Sequence, residues 1–190
     1  MSPRPISAAP RARTGRAAVF LAAAALAAVD LTAKAISEAR LVGSTVDLGL
    51  IQLQLAYNSG VAFSMGDKLP AWVIVAVTAT ICVAFAVYAW YRAPRAGWLE
   101  RIAGGAVIGG AVANVVDRAR DGLVTDYLHT GWWPTFNLAD AFLVTGCIAI
   151  ALLQTRSERM TSTRSRWKTT PAPRPSPDHD RRLMTTDLLR

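Results

Sequence analysis

The stretch AAVFLAAAALAAVDLTAKAI, residues 17–36, decides how the rest of the chain is read. It is apolar over a length within the roughly 17 to 25 residues that cross a ~30 Å hydrocarbon layer. Near its end it nevertheless carries Asp30 and Lys34, four residues apart. Three further segments match it in length and apolarity: 70–91, 98 to about 116, and 138–154. The chain is 52% hydrophobic and 18% charged, and the apolar residues come in these blocks rather than spread through an amphipathic pattern. The expected fold is an all-α integral membrane protein of four transmembrane helices.

A basic run precedes 17–36, and Ala22 to Ala28 offers small residues resembling a cleavage site, as in a cleaved secretory signal. The span-length apolar run, with Asp30 and Lys34 inside it, favours a retained helix. The formal net charge of +8 raises nucleic acid as a partner, but the basic residues are segregated along the chain. Arg4, Arg11, Arg13 and Arg16 precede the first span, Arg92, Arg95 and Arg101 surround the second-to-third turn, and Arg156, Arg159, Arg164 and Arg166 follow the fourth. The opposite loops carry only Arg40, Lys68, Arg118 and Arg120. That asymmetry is a membrane-orientation signal: both termini are expected in the cytoplasm and the longer loops outside. Trp72, Trp90, Tyr91 and Trp98 fall at span ends, where rings with a polar handle favour the interface.

Residues 1–16 read as a cytoplasmic tail, 17–155 as the membrane domain, and 156–190, rich in Ser, Thr, Pro and Arg, as a disordered basic cytoplasmic tail. Between the first two spans, Ile51-Gln52-Leu53-Gln54-Leu55 alternates as a strand does. Asn58-Ser59-Gly60 supplies turn chemistry, and Val61-Ala62-Phe63 is expected to return as a second strand. A small extracytoplasmic β-sheet between helices 1 and 2 follows. In the third span Gly105 and Gly109 have the small-xxx-small spacing that lets another helix approach. Cys82 and Cys147 lie mid-span with no disulfide or zinc spacing, and His129 and His179 are too far apart to suggest a metal site.

Ionisable residues in or beside spans are costly and call for a partner or a function. Asp30 and Lys34 end span one, Asn114, Asp117 and Arg118 end span three, Asp126 lies in the following loop, and Asn137 and Asp140 open span four. All fall on the outward side. Structural readings exist for each: an i, i+4 pair for Asp30 and Lys34, a pair of Asp117 with Arg118, a capping box of Asn137 with Asp140, and a solvated loop carboxylate for Asp126. Two carboxylates that meet in a partly desolvated site, however, cannot both ionise cheaply and share a proton. One then accepts a proton from an attacking water while the other donates a hydrogen bond to the peptide carbonyl.

The ordered motifs together resemble the lipoprotein signal peptidase (signal peptidase II) family, a membrane aspartyl protease. They are Asp30-Leu31-Thr32-Ala33-Lys34, Asn58-Ser59-Gly60-Val61-Ala62-Phe63-Ser64, Gly109-Gly110-Ala111-Val112-Ala113-Asn114-Val115-Val116-Asp117-Arg118, Val124-Thr125-Asp126-Tyr127 and Phe136-Asn137-Leu138-Ala139-Asp140. The resemblance implies that Asp126 and Asp140 are a catalytic dyad needing no cofactor or metal. It further implies that Asn58, Asn114, Arg118 and Asn137 line or support the site, and that Asp30, Lys34 and Asp117 brace the helices. The implied partners are membrane lipid and prolipoproteins cut just before a diacylglyceryl-modified Cys, at the outer face of the bacterial plasma membrane. Ala113 stands where the family usually has Gly, and Tyr127 where it commonly has Phe. Two other functions are compatible with the polar residues: a proton-coupled transporter or channel subunit, and a Ser/Lys peptidase using Ser59 or Ser64 with Lys34 or Lys68.

Overall fold

The computed structural model describes residues 9–59 and 70–169. Four helices run along the chain: α1 (Ala9–Arg40), α2 (Ala71–Arg92), α3 (Trp98–Asp121) and α4 (Leu138–Thr169). Stretches of all four are long and apolar enough to cross a membrane: Ala12–Arg40, Trp72–Arg92, Trp98–Asp121 and Leu138–Arg156. Many of their large side chains remain exposed on the protein, Leu21, Ile81, Val83, Val144 and Leu152 among them. Such a surface suits lipid rather than water. The chain forms one unit over Met1–Leu153, which holds the candidate site, and a second over Gln154–Arg190.

Two expected boundaries move. α1 begins at Ala9 rather than 17, and the tail expected to be disordered from 156 is helical as far as Thr169. No proline interrupts the backbone between Leu138 and Pro171, so Ser and Thr alone do not end the helix.

Small residues set how closely the helices pack. A Cβ on Gly109 would lie 2.6 Å from the carbonyl oxygen of Ala23, and one on Gly105 would lie 2.7 Å from the Ala22 Cβ. The expected spacing is thus the seam between α3 and α1. Gly110 faces Ala139, and Gly146 faces Ala103, so a second glycine-lined seam joins α3 to α4. Ala113 is fully buried against Ala27 and Ala139, and its extra methyl is accommodated because both neighbours are themselves alanines.

At the end where α1 starts, Arg16 lies 4.3 Å over the Trp90 ring and donates to the Trp90 carbonyl at 3.2 Å. Arg92 pairs with Glu100 at 2.7 Å, and Arg101 donates to the Ala93 carbonyl. The opposite end carries a three-stranded antiparallel sheet in the order β1 (Thr45–Asp47), β2 (Gln52–Asn58), β3 (Val124–His129). The expected strand at 51–55 is present as β2. Its observed partners are β1 and β3, while Val61-Ala62-Phe63 lies outside the described residues. Asp126, expected in a loop, sits in the middle of β3. The reason is local: Gly122 adopts φ 89° and its N–H caps the Arg118 carbonyl at 2.8 Å, ending α3 and turning the chain straight into the strand.

Candidate active site

Strand pairing puts Ala56 of β2 opposite Asp126, with Asn58 two residues along on the same face. The Asn58 Nδ2 donates to Asp126 Oδ2 at 3.1 Å. From the start of α4, Asn137 Nδ2 donates to Asp126 Oδ1 at 2.7 Å. The carboxyl group is 2% exposed. Burial, with the nearby charge of Asp140 adding to it, outweighs these hydrogen bonds and the Lys34 charge, and pushes Asp126 up to about 6.

Asp140 is held by the helix it opens. Its N–H donates to Asn137 Oδ1 at 2.9 Å, while the Asn137 N–H reaches Asp140 Oδ2 at 3.4 Å. This is the expected reciprocal capping box. Asn114 of α3 then donates from Nδ2 to Asp140 Oδ1 at 2.7 Å. Asn137 therefore binds both carboxylates, one through its side chain and the other through its backbone. Asp140 is half-buried and lines a cavity of about 380 Å³ walled by Trp132, Trp133, Phe136 and Val144.

Beneath these groups lies a buried ionic hub. Lys34, 1% exposed, donates to Asn114 Oδ1 at 2.7 Å and forms ion pairs with Asp30 Oδ2 and Asp117 Oδ2, each at 3.1 Å. The i, i+4 pair of Asp30 and Lys34 is present. The expected pairing of Asp117 with Arg118 is corrected, since neighbours one residue apart point to different sides of a helix. Asp117 instead binds Lys34, accepts the Thr125 N–H at 2.7 Å and lies 3.8 Å from Arg120. Arg118 is buried without a hydrogen-bond partner for Nε among the described residues, within electrostatic reach of Asp126, Asp117 and Asp140. With its donors so committed, Lys34 makes a poor base for Ser59; Ser64 and Lys68 lie outside the described residues.

The sequence reading missed what the residues flanking Asp126 do. Thr125 Oγ1 donates to Glu38 Oε1 at 2.9 Å. The Tyr127 hydroxyl donates to Asp30 Oδ1 at 3.2 Å and accepts the Leu138 N–H at 3.2 Å. Burial pushes that hydroxyl's pKa well above its usual range, with the Asp30 carboxylate adding to the effect and the Leu138 N–H opposing it, so Tyr127 stays a neutral donor. Asp30 Oδ1 also accepts the Ala139 N–H at 2.9 Å. The available signal was Tyr127 itself, a polar residue where the family commonly has Phe.

A family model described as signal peptidase (SPase) II matches residues 22–156, a range that includes all of the residues above. A lipoprotein signal peptidase of Sinorhizobium fredii is 39% identical over 117 residues, covering 58% of this chain and 70% of that protein. One of Rhodococcus jostii is 34% identical over 147 residues, 73% of this chain and 72% of the relative. One of Desulfitobacterium hafniense is 34% identical over 143 residues, 70% and 92% respectively. Two solved structures described as bacterial membrane enzymes share the fold, with TM-scores of 0.62 and 0.63 at 24% and 23% identity. They cover 74% and 72% of this chain, and 90% and 91% of their own. With four membrane-length helices, a sheet at one end and a family match across both, the chain belongs to the signal peptidase II family.

Proposed function

We propose that this chain is an aspartyl endopeptidase that removes signal peptides from prolipoproteins, cutting just before the diacylglyceryl-modified Cys, with Asp126 and Asp140 as the catalytic dyad. The observation that carries the reading is Asn137, which hydrogen-bonds a carboxylate on β3 and another on α4 and so gathers both at one depth. Asp126, the more enclosed, retains the shared proton and donates it to the scissile carbonyl oxygen as negative charge develops there. Asp140, open to the cavity, takes a proton from the attacking water. When the tetrahedral intermediate collapses, the leaving amine takes a proton back from the dyad. Asn58, Asn114 and Asn137 keep the carboxylates aimed, and Arg118 offsets their charge. Asp30, Lys34 and Asp117 brace the helices.

The arginines gathered at the opposite end support cytoplasmic termini and an outer-face site, with residues 1–16 and 156–190 as cytoplasmic extensions and the precursor's lipid left in the bilayer. Confinement of the buried charges to one end of the helices speaks against a continuous ion path. The test is incubation of purified protein with a lipidated prolipoprotein, read as a mass shift. Asp126→Asn and Asp140→Asn should each abolish cleavage while still inserting and binding precursor. Near wild-type turnover by either inserted variant overturns the aspartyl mechanism.

A further inference from the structure

On a strand, alternate side chains take opposite faces. Asp126 points toward Asn58 and Asn137, so Thr125 and Tyr127 share the other face, toward the helices. Thr125 ties the strand to Glu38 of α1 and, through its N–H, to Asp117 of α3. Tyr127 is different in kind. Its ring is 4% exposed, and its hydroxyl joins three elements: its own strand β3, Asp30 of α1, and the first N–H of α4. Its backbone N–H adds a bond to the Phe136 carbonyl at 3.0 Å, just ahead of α4. The two carboxylates of the site sit on the two elements so joined, Asp126 one residue before Tyr127 and Asp140 in the turn that Leu138 begins.

We propose that Tyr127 is a positioning residue for the reaction: its hydroxyl, clamped between Asp30 and the Leu138 N–H, fixes the separation of Asp126 from Asp140. The inference rests on the dyad reading above. A phenylalanine there fills the same space but leaves the α4 N–H and one lone pair of Asp30 without this partner, so β3 and α4 are free to part slightly. A misplacement on the order of 1 Å costs up to about a hundred-fold in rate. Tyr127 faces away from the cavity, so substrate binding has no reason to change. The charged groups facing the pair are Asp30 and Lys34 from α1 and Asp117 and Arg118 from α3; β2 contributes the neutral Asn58. Removing the hydroxyl takes away none of these charges, and only Asp30 among them loses a hydrogen bond. What changes is how strongly the two carboxylates sense each other, which sets the spacing of their shared apparent pKa values.

The experiment is Tyr127→Phe in purified full-length enzyme with lipidated precursor, following kcat and KM across pH. The expected result is kcat lowered about ten-fold or more with KM within about two-fold, and a bell-shaped kcat profile narrowed on both limbs. A lesion in folding alone lowers the active fraction without moving either limb. Leu138→Pro is the second variant: it deletes the N–H that the hydroxyl accepts, at the first helical position, where proline is tolerated. It should narrow the bell in the same sense. If Tyr127→Phe keeps wild-type kcat and bell width, the proposal is wrong. If that variant fails to accumulate, a wild-type bell in Leu138→Pro overturns it equally. Activity in Asp126→Asn would instead sink the dyad reading, whereas an inactive Asp126→Asn beside a wild-type Tyr127→Phe sinks only this one.

Discussion

Asp126→Asn should do more than stop turnover: it should change how stability depends on pH. Asp126 moves from 3.8 to about 6 in the folded protein, with burial as the main cause. At 2% exposure, solvent screening does little to discount that shift. A carboxyl group whose folded value is raised stabilises the fold below its unfolded value, and that contribution is lost as pH rises through the folded value. At about 1.36 kcal/mol per pH unit, the span from 3.8 to about 6 amounts to about 3 kcal/mol. Asparagine carries no such dependence. It does bring a constant cost of about 1 to 3 kcal/mol, because its amide faces the Nδ2 donors of Asn58 or Asn137 where an oxygen accepted before. That cost cancels when the difference between variant and wild type is compared at two pH values. Thermal unfolding in detergent, run from pH 4 to pH 8, should therefore show Asp126→Asn gaining about 2 to 3 kcal/mol on wild type. That corresponds to about 5 to 10 °C for a chain of this size. Parallel curves for the two proteins would refute the claim that burial of Asp126 opposes its ionisation.

Two other outcomes follow from the packing and the charge pattern. Gly109→Ala should lower stability by about 1 to 3 kcal/mol, measured by the same melts, since its new methyl would meet the Ala23 carbonyl and α1 and α3 must part to admit it. Reporter fusions at Arg95 and Thr161 should register cytoplasm and one within 44–48 the outside; a Thr161 reporter found outside would overturn the orientation.

How much of this could be read from the chain alone divides along a physical line. Apolar block length announced four helices, and local spacing announced the Asp30–Lys34 pair, the Asn137–Asp140 cap and the Gly105–Gly109 seam. Each depends on residues a few positions apart in one element. Strand β3 was not legible. Its first four residues, Val124, Thr125, Asp126 and Tyr127, are all buried, so no polar and apolar alternation marks it, and its partner β2 lies far back in the chain. The placing of Asp126 beside Asn58, 68 residues away, is set by that pairing. The partner of Asp117 was misread because adjacency in sequence is not adjacency on a helix. Tyr127 stood out as a departure from the family pattern, but the use of its hydroxyl required knowing where Asp30 and α4 meet.

The buried ionic hub lies against both carboxylates of the proposed dyad, and its charges balance. Asp30, Lys34, Asp117 and Arg118 carry formal charges that cancel, so the proposed dyad, holding one proton, would add a single negative charge to an otherwise neutral cluster. The hub also fixes the direction of its hydrogen bonds. Lys34 can only donate, so Asn114 must present its oxygen to the ammonium and its amide N–H to Asp140. A buried charge on α1 therefore dictates which face of an uncharged side chain on α3 meets a carboxylate on α4. The same carboxylate closes the capping box with Asn137, whose own amide N–H goes to Asp126. Asn137 is oriented separately: its Oδ1 accepts the Asp140 backbone N–H, which leaves its amide N–H for Asp126, so the buried ammonium sets the partner of one carboxylate and the helix cap sets that of the other.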